Sequence, residues 1–213
     1  MDAGAGYNVF ITLHRGHKMY RFYLAAVDML PGILILVPVY WILNKTLFRN
    51  NRRSFFYCMF SCYLAVVYVL VGLPNVTYIR PEVNLNLIPM VGMISDFKNS
   101  LLNILLFVPL GAMLPVLWNK FRTQRYAVIF GFCSSLSIEL LQMLTFRATD
   151  VNDLITNTLG TYLGFCFAKR LFKRKSEAGN STGEAGMVIG IVLLVMFFVY
   201  PFVSSALWEF ILG

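Results

Sequence analysis

Six long apolar stretches are the feature that most constrains the fold of this 213-residue chain. A helix that crosses a bilayer needs about 20 mostly apolar residues, and each stretch reaches or approaches that length. Apolar residues make up 58% of the sequence and charged residues 13%, which leaves too little polar side chain to cover a soluble domain. We therefore predict an all-α, polytopic transmembrane helix bundle with about six spans. The predicted spans are Phe22–Leu43, Phe55–Leu73, Leu101–Trp118, Tyr126–Phe146, Leu154–Leu171 and Met187–Leu212.

The first predicted span contains three residues that interrupt its apolar pattern. Asp28, Pro31 and Pro38 lie inside it, and proline removes a hydrogen bond from a helix. We expect either a kinked span or a re-entrant segment that enters and leaves the membrane on the same side.

Composition divides the chain into four parts. A polar lead (1–21) precedes the transmembrane core (22–172), and a basic, then flexible linker (173–186) separates this core from an additional C-terminal transmembrane helix (187–213). The second half of the linker is rich in Gly, Ser, Ala and Glu, which is typical of flexible segments.

The positive charge is arranged in a way that predicts membrane orientation. The net charge is +8, and the basic residues form short clusters between the apolar stretches. This pattern is typical of cytoplasmic loops and differs from the continuous basic face of a nucleic-acid-binding protein. We therefore place the loops after the first, third and fifth spans in the cytoplasm and both chain termini outside. The basic residues of these loops are Lys45, Arg49, Arg52, Arg53, Lys120, Arg122, Arg125, Lys169, Arg170, Lys173, Arg174 and Lys175.

Polar side chains form a stripe along the fourth span. Ser135, Glu139 and Gln142 are spaced i, i+4 and i+7, so they share one face of a helix. An ionisable side chain inside a membrane costs about 2.5–3.5 kcal/mol on insertion scales and is a functional candidate by default.

A second stripe lies on the fifth span. Asp150, Asp153 and Asn157 share a face with Gly160 and Gly164. Glycines four residues apart allow close helix packing in membranes, so we expect this face to turn toward the bundle.

The two stripes are expected to meet at one leaflet. The fourth span ends, and the third and fifth begin, on the same side of the membrane, which our orientation makes the outer side. The polar residues that converge there as a predicted pocket are Asn103, Glu139, Gln142, Arg147, Asp150, Asp153 and Asn157.

Charge limits what this pocket can do. Three carboxylates and one guanidinium leave a partly desolvated site with a net charge of −2 (Glu139, Asp150 and Asp153, with Arg147). This charge favours protonation of a carboxylate, binding of a divalent cation or binding of a cationic ligand group. Oxygen ligands suit magnesium or calcium, which the three carboxylates would hold. Glu139 and Asp150 are the candidate catalytic groups.

The structural alternative is that Thr149 caps the fifth helix and Asp150 and Asp153 lie in its first turn. Capping does not explain Glu139.

Several motifs, in this order, resemble the VanZ-like family of bacterial membrane proteins. The resemblance covers roughly residues 25–172. Its pieces are Asn86-Leu-Ile-Pro89, Asp96, Asn103-Ile-Leu-Leu-Phe-Val-Pro-Leu-Gly111, Ser137-Ile-Glu-Leu-Leu-Gln142, Arg147-Ala-Thr-Asp-Val-Asn-Asp153, Asn157-Thr-Leu-Gly160 and Gly164.

The resemblance implies a role in the bacterial cell envelope. The family's namesake raises resistance to teicoplanin, a lipid-bearing glycopeptide that acts on cell-wall precursors at the outer surface. By this resemblance the chain is expected in the cell membrane of a Gram-positive bacterium, and the charge-based orientation given above makes its polar pocket face outside.

Three functional hypotheses remain open at this stage. A binding protein would engage membrane lipid head groups, a lipid-linked wall precursor or the lipoglycopeptide at the outer pocket. A metal-assisted membrane enzyme would act on a lipid-linked substrate. A transporter is the third alternative, although the polar residues lie in one leaflet only. We favour binding, and we expect no nucleic-acid partner.

Overall fold

A computed structural model describes residues 18–79, 81, 85–86, 97–145, 149–171 and 182–212. Each of the six predicted spans is helical, so the prediction of an all-α bundle is confirmed. Two residue pairs add one minimal parallel ladder. In chain order the elements are α1 (Lys18–Leu43), α2 (Asn51–Leu70), β1 (Leu85–Asn86), α3 (Phe97–Leu117), α4 (Gln124–Gln142), β2 (Thr149–Asp150), α5 (Val151–Leu171), α6 (Thr182–Leu194) and α7 (Tyr200–Leu212).

The first span runs as a single helix. Pro31 and Pro38 lie within α1 without ending it, and its 26 residues extend about 39 Å at 1.5 Å per residue. A π-helical turn, Asn44–Phe48, continues α1 until Arg49, whose φ of 47° is left-handed. The described helix is long enough to cross a bilayer, so the re-entrant interpretation is not the one that the structure adopts.

Within the described residues, four helical segments are long and apolar enough to cross a membrane, which places the chain among membrane proteins. They are Val27–Phe48, Asn51–Leu70, Phe97–Leu117 and Gly183–Ile211. The helices α4 and α5 are 19 and 21 residues long, but the polar stripes lower their hydropathy. These two helices are instead partly shielded from lipid by packing against each other and against α3.

Close packing between α3 and α5 brings the start of both helices together. They run parallel, and a Cβ on Gly160 or Gly164 would lie 2.3 Å from the carbonyl oxygen of Ile104 or 2.0 Å from that of Val108. The glycine surface predicted from the sequence is therefore the contact face of this helix pair. The antiparallel α4 packs beside them, with Gly131 facing Thr161 of α5.

The C-terminal span belongs to the bundle and packs on α1 and α2. It consists of α6 and α7, joined by the π-helical turn Val195–Val199, and its buried Val188, Val192 and Met196 lie in the common core. Helix α6 begins at Thr182, so five residues of the predicted linker are helical. Residues 172–181 lie outside the described chain.

The helix directions give the bundle two different ends. The polar end is where α2 and α4 finish and where α3 and α5 begin. The basic end is where α2, α4 and α6 begin and where α3 and α5 finish. At the basic end the rings of Tyr57 and Trp118 are stacked at 5.6 Å, and Phe60 and Phe121 meet the indole edge-on.

Candidate functional site

The loop between α2 and α3 reaches the candidate site through a short parallel ladder. Leu85 pairs with Thr149 and Asn86 with Asp150. The second pair joins two segments that were matched separately to family motifs in the sequence. The ladder therefore brings part of the long loop against the segment that leads into α5.

Glu139 binds the backbone of that same segment. Its side chain is buried, and Oε2 accepts a hydrogen bond from the backbone N–H of Asp150 at 2.9 Å. The main-chain oxygen of Glu139 accepts a second bond, from the hydroxyl of Thr149, at 3.0 Å. The last turns of α4 thus fix β2 at both of its residues.

Asp150 caps α5. It directly precedes Val151, the first residue of the helix, and its Oδ1 accepts the backbone N–H of Asn152 at 2.8 Å. An N-cap side chain normally binds the second or third backbone N–H of its helix, which is this geometry. The structural alternative named Thr149 as the cap, but its hydroxyl donates to the carbonyl oxygen of Glu139 in α4 instead.

Two further amide side chains connect the helices around this cap. Asn103 Nδ2 donates to Asp153 Oδ1 at 2.7 Å and joins α3 to α5. Gln142 Nε2 donates to the carbonyl oxygen of Val71 at 2.7 Å and joins α4 to the end of α2. Each of these two amide side chains therefore holds two segments together.

Asn157 lies one turn deeper than Asp153 and is 4% exposed. Its Nδ2 donates to Ser135 Oγ at 2.9 Å, and its backbone oxygen accepts from the hydroxyl of Thr161 at 3.0 Å. Among the described residues, Asn157 Oδ1 is a buried acceptor without a hydrogen-bond partner. A donor in this place would gain most of the energy of a buried hydrogen bond.

The predicted pocket is a set of linked pairs. Six of its seven predicted members are described, and Arg147 lies outside the described residues. In the described part of the chain, no group of three His, Cys, Asp or Glu side chains is placed to hold a metal ion. A magnesium or calcium site on Glu139, Asp150 and Asp153 stays a prediction.

Sequence reasoning missed two contributors to this cluster. Asn152 is buried, and its carbonyl oxygen accepts from the hydroxyl of Thr156 at 2.9 Å. The spacing Asn152–Thr156, four residues inside a helix, was an available signal. The carbonyl of Val71 gave none, because backbone groups have no sequence signature.

The sequence profile of the VanZ/LLP1 family matches residues 55–173, more than half of the chain. The chain belongs to the VanZ/LLP1 family. It is also 32% identical over 122 residues to Protein VanZ of Enterococcus faecium, an alignment that covers 55% of this chain and 71% of the relative. No solved structure matches the chain.

The VanZ/LLP1 match includes every residue of the predicted pocket. It begins near the start of α2 and ends just beyond α5, so α1 and the C-terminal span lie outside it. The resemblance seen in the sequence began about 30 residues earlier. The family unit therefore consists of α2–α5, and α1 packs on it together with the C-terminal span.

Asp28 belongs to this outer part and not to the pocket. Trp208 Nε1 donates to its Oδ1 at 2.8 Å, and the hydroxyl of Tyr200 donates to its carbonyl oxygen at 3.0 Å. The carboxylate thus joins α1 to α7 in the half of the bundle nearest the polar end.

Proposed function

We propose that this VanZ/LLP1 protein lowers bacterial sensitivity to teicoplanin-type lipoglycopeptides by binding a ligand at the polar end of its bundle. The ligand is a lipid head group, a lipid-linked wall precursor or the drug itself. The observation that carries the proposal is the cluster of buried and half-buried polar side chains at this end. This cluster lies wholly within the family match. Ionisable side chains are costly to place inside a membrane, so their presence points to a function beyond helix packing.

Binding is favoured over catalysis by what the carboxylates already do. Glu139 holds a backbone N–H, Asp150 caps a helix, and Asp153 accepts from Asn103. Groups fixed in this way suit a rigid recognition surface, because their geometry is set before the ligand arrives. The three carboxylates of the cluster favour a ligand that brings a cationic group.

Asp150 allows charge and structure to be separated in one test. Asparagine caps a helix about as well as aspartate, so Asp150→Asn removes the charge and keeps the cap. We would express wild type, Asp150→Asn with Asp153→Asn, and Glu139→Gln in a sensitive Gram-positive host. Inhibitory concentrations of teicoplanin and vancomycin would then be compared with those of the empty vector.

The expected result is a teicoplanin-selective rise with wild type that both variants lose at equal expression. Glu209→Gln is the matched control, because Glu209 is exposed and lies outside the family match. Full resistance in both cluster variants would refute a functional role for these carboxylates. No rise with well-expressed wild type would refute the resistance role for this chain.

The outward direction of the polar end can be tested with two exposed lysines. Lys98 lies at the start of α3 and Lys120 just after its end. In a cysteine-free background, Lys98→Cys should react with an impermeant thiol reagent on intact cells, and Lys120→Cys should react only after lysis. The reverse pattern would invert the orientation.

A further inference from the structure

A charged group joins α2 to the start of α6 at the basic end. Arg53 Nη2 forms an ion pair with Glu184 Oε2. The hydroxyl of Tyr57 donates to the same oxygen at 2.6 Å and accepts from Arg53 Nε at 3.2 Å. The side chains of Arg53 and Glu184 are 30% and 25% exposed, so the pair remains open to a ligand.

A cavity of about 300 Å³ adjoins this pair. Its volume is at the lower end of the range for small-ligand sites, about 300–1,000 Å³. One wall carries charge and the rest is largely apolar, a combination that suits an amphiphile. The lining residues are Leu47, Phe48, Arg53, Gly183, Glu184 and Met187.

Arg53 has donors to spare on this cavity. Its Nε and Nη2 are used as above, whereas within the described chain Nη1 has no hydrogen-bond partner. A guanidinium is well suited to phosphate, because its planar donors match the spacing of two oxygens. Glu184 and Tyr57 fix the plane of this guanidinium.

The surroundings indicate that a membrane lipid is the occupant. Leu47 and Trp41 are exposed, and Lys45 lies over the Trp41 ring at 3.7 Å. Aromatic and basic side chains in this arrangement are typical of the membrane–water interface. Arg49 and Arg52 add positive charge nearby, which raises the local concentration of anions.

We propose that this cavity is a binding site for an anionic phospholipid. The lipid phosphate binds Nη1 of Arg53, and the acyl chains contact Leu47, Phe48 and Met187. Glu184 positions Arg53 and at the same time weakens its attraction for the phosphate. The site is independent of the proposed function, because it lies at the other end of the bundle and because Arg53 and Glu184 fall outside the family match.

The two partners of the ion pair should have opposite effects on lipid binding. Arg53→Gln should weaken binding of phosphatidylglycerol about tenfold, because a charged hydrogen bond to phosphate is lost. Glu184→Gln should strengthen it severalfold, since the amide keeps an acceptor for Arg53 and Tyr57 and removes the competing charge. Arg52→Gln is the matched control, because Arg52 is exposed and its loss removes equal charge.

The full chain would be purified and titrated with phosphatidylglycerol in phosphatidylcholine nanodiscs, with native mass spectrometry as the readout. Melting temperatures would be recorded in parallel, and Arg53→Lys would replace Arg53→Gln if the latter did not fold. A purely structural clamp would lower the melting temperature of both variants and leave lipid preference unchanged. Equal effects of Arg52→Gln and Arg53→Gln would also overturn the proposal, as would inorganic phosphate that displaces the lipid at equal concentration, because the acyl chains would then contribute nothing.

Discussion

Replacing Gly164 with alanine should separate α3 from α5. A Cβ at this position would lie 2.0 Å from Val108 O and 2.9 Å from both Ala112 N and Val108 C. All three neighbours are backbone atoms of one helix, so no side-chain rotation can relieve the contact. The helix itself has to move.

The required movement sets the size of the effect. Ordinary van der Waals contact for a Cβ begins near 3.4 Å, so the two helices must part by about 1.4 Å at this point. Overpacking of this kind costs about 1–3 kcal/mol. The movement would also stretch the bond between Asn103 and Asp153, which is now 2.7 Å and spans the same two helices.

The natural control is a glycine with free space. Gly190 lies in the C-terminal span, and a Cβ added there meets no atom within 4 Å. Alanine has the higher helix propensity, by about 1 kcal/mol, so Gly190→Ala should be neutral or stabilising. Both variants would be purified in the same detergent, and thermal unfolding would be followed by light scattering and circular dichroism.

The expected outcome is a clear fall in the melting temperature of Gly164→Ala and none in that of Gly190→Ala. Equal melting temperatures would refute the close approach of α3 and α5. Gly160→Ala provides a second test on the same helix face, since its Cβ would lie 2.3 Å from Ile104 O.

Three further predictions concern single hydrogen bonds, each measured by unfolding in detergent. Asp150→Ala should cost about 1 kcal/mol through loss of the N-cap, and equal stability of Asp150→Ala and Asp150→Asn would contradict the capping role. Asn103→Ala and Asp153→Ala should couple by about 0.6 kcal/mol in a double-mutant cycle, the average measured for hydrogen bonds between membrane helices; simple additivity would mean that the pair contributes nothing. Trp208→Phe should destabilise the wild type more than it destabilises an Asp28→Leu variant, because only the wild type then keeps a carboxylate without its indole donor. Equal losses of stability in the two backgrounds would argue against the pairing.

The six spans could be predicted because lipid imposes a minimum apolar length. Their ends could not be placed as well, since polar residues such as Lys18 and Asn51 begin helices outside the apolar run. The start of α6 was missed by five residues, because Gly183 and Gly186 have the composition of a flexible linker. The structure places Glu184 against Arg53 instead, a contact 131 residues apart in the sequence.

The polar cluster was predictable as a face but not as a set of bonds. Helical spacing placed Ser135 and Glu139 on one stripe and Asn157 on another. Which atoms pair depends on how far α4 and α5 are shifted along each other, and the residue spacing within one helix does not determine this shift. Thr149 and Asp150 are both good capping residues, so the choice between them was settled by the position of Glu139.

The parallel arrangement of α3 and α5 also affects the electrostatics of the polar end. Each helix N-terminus carries a partial charge of about +0.5 from its aligned peptide dipoles, and the C-terminus of α4 carries about −0.5. Asp150 precedes the first residue of α5 and Asp153 lies in its first turn, so the dipole of this helix offsets part of their negative charge. The glycine contacts that fix the direction of α5 against α3 therefore also decide that the end of α5 that meets Glu139 is its electropositive end.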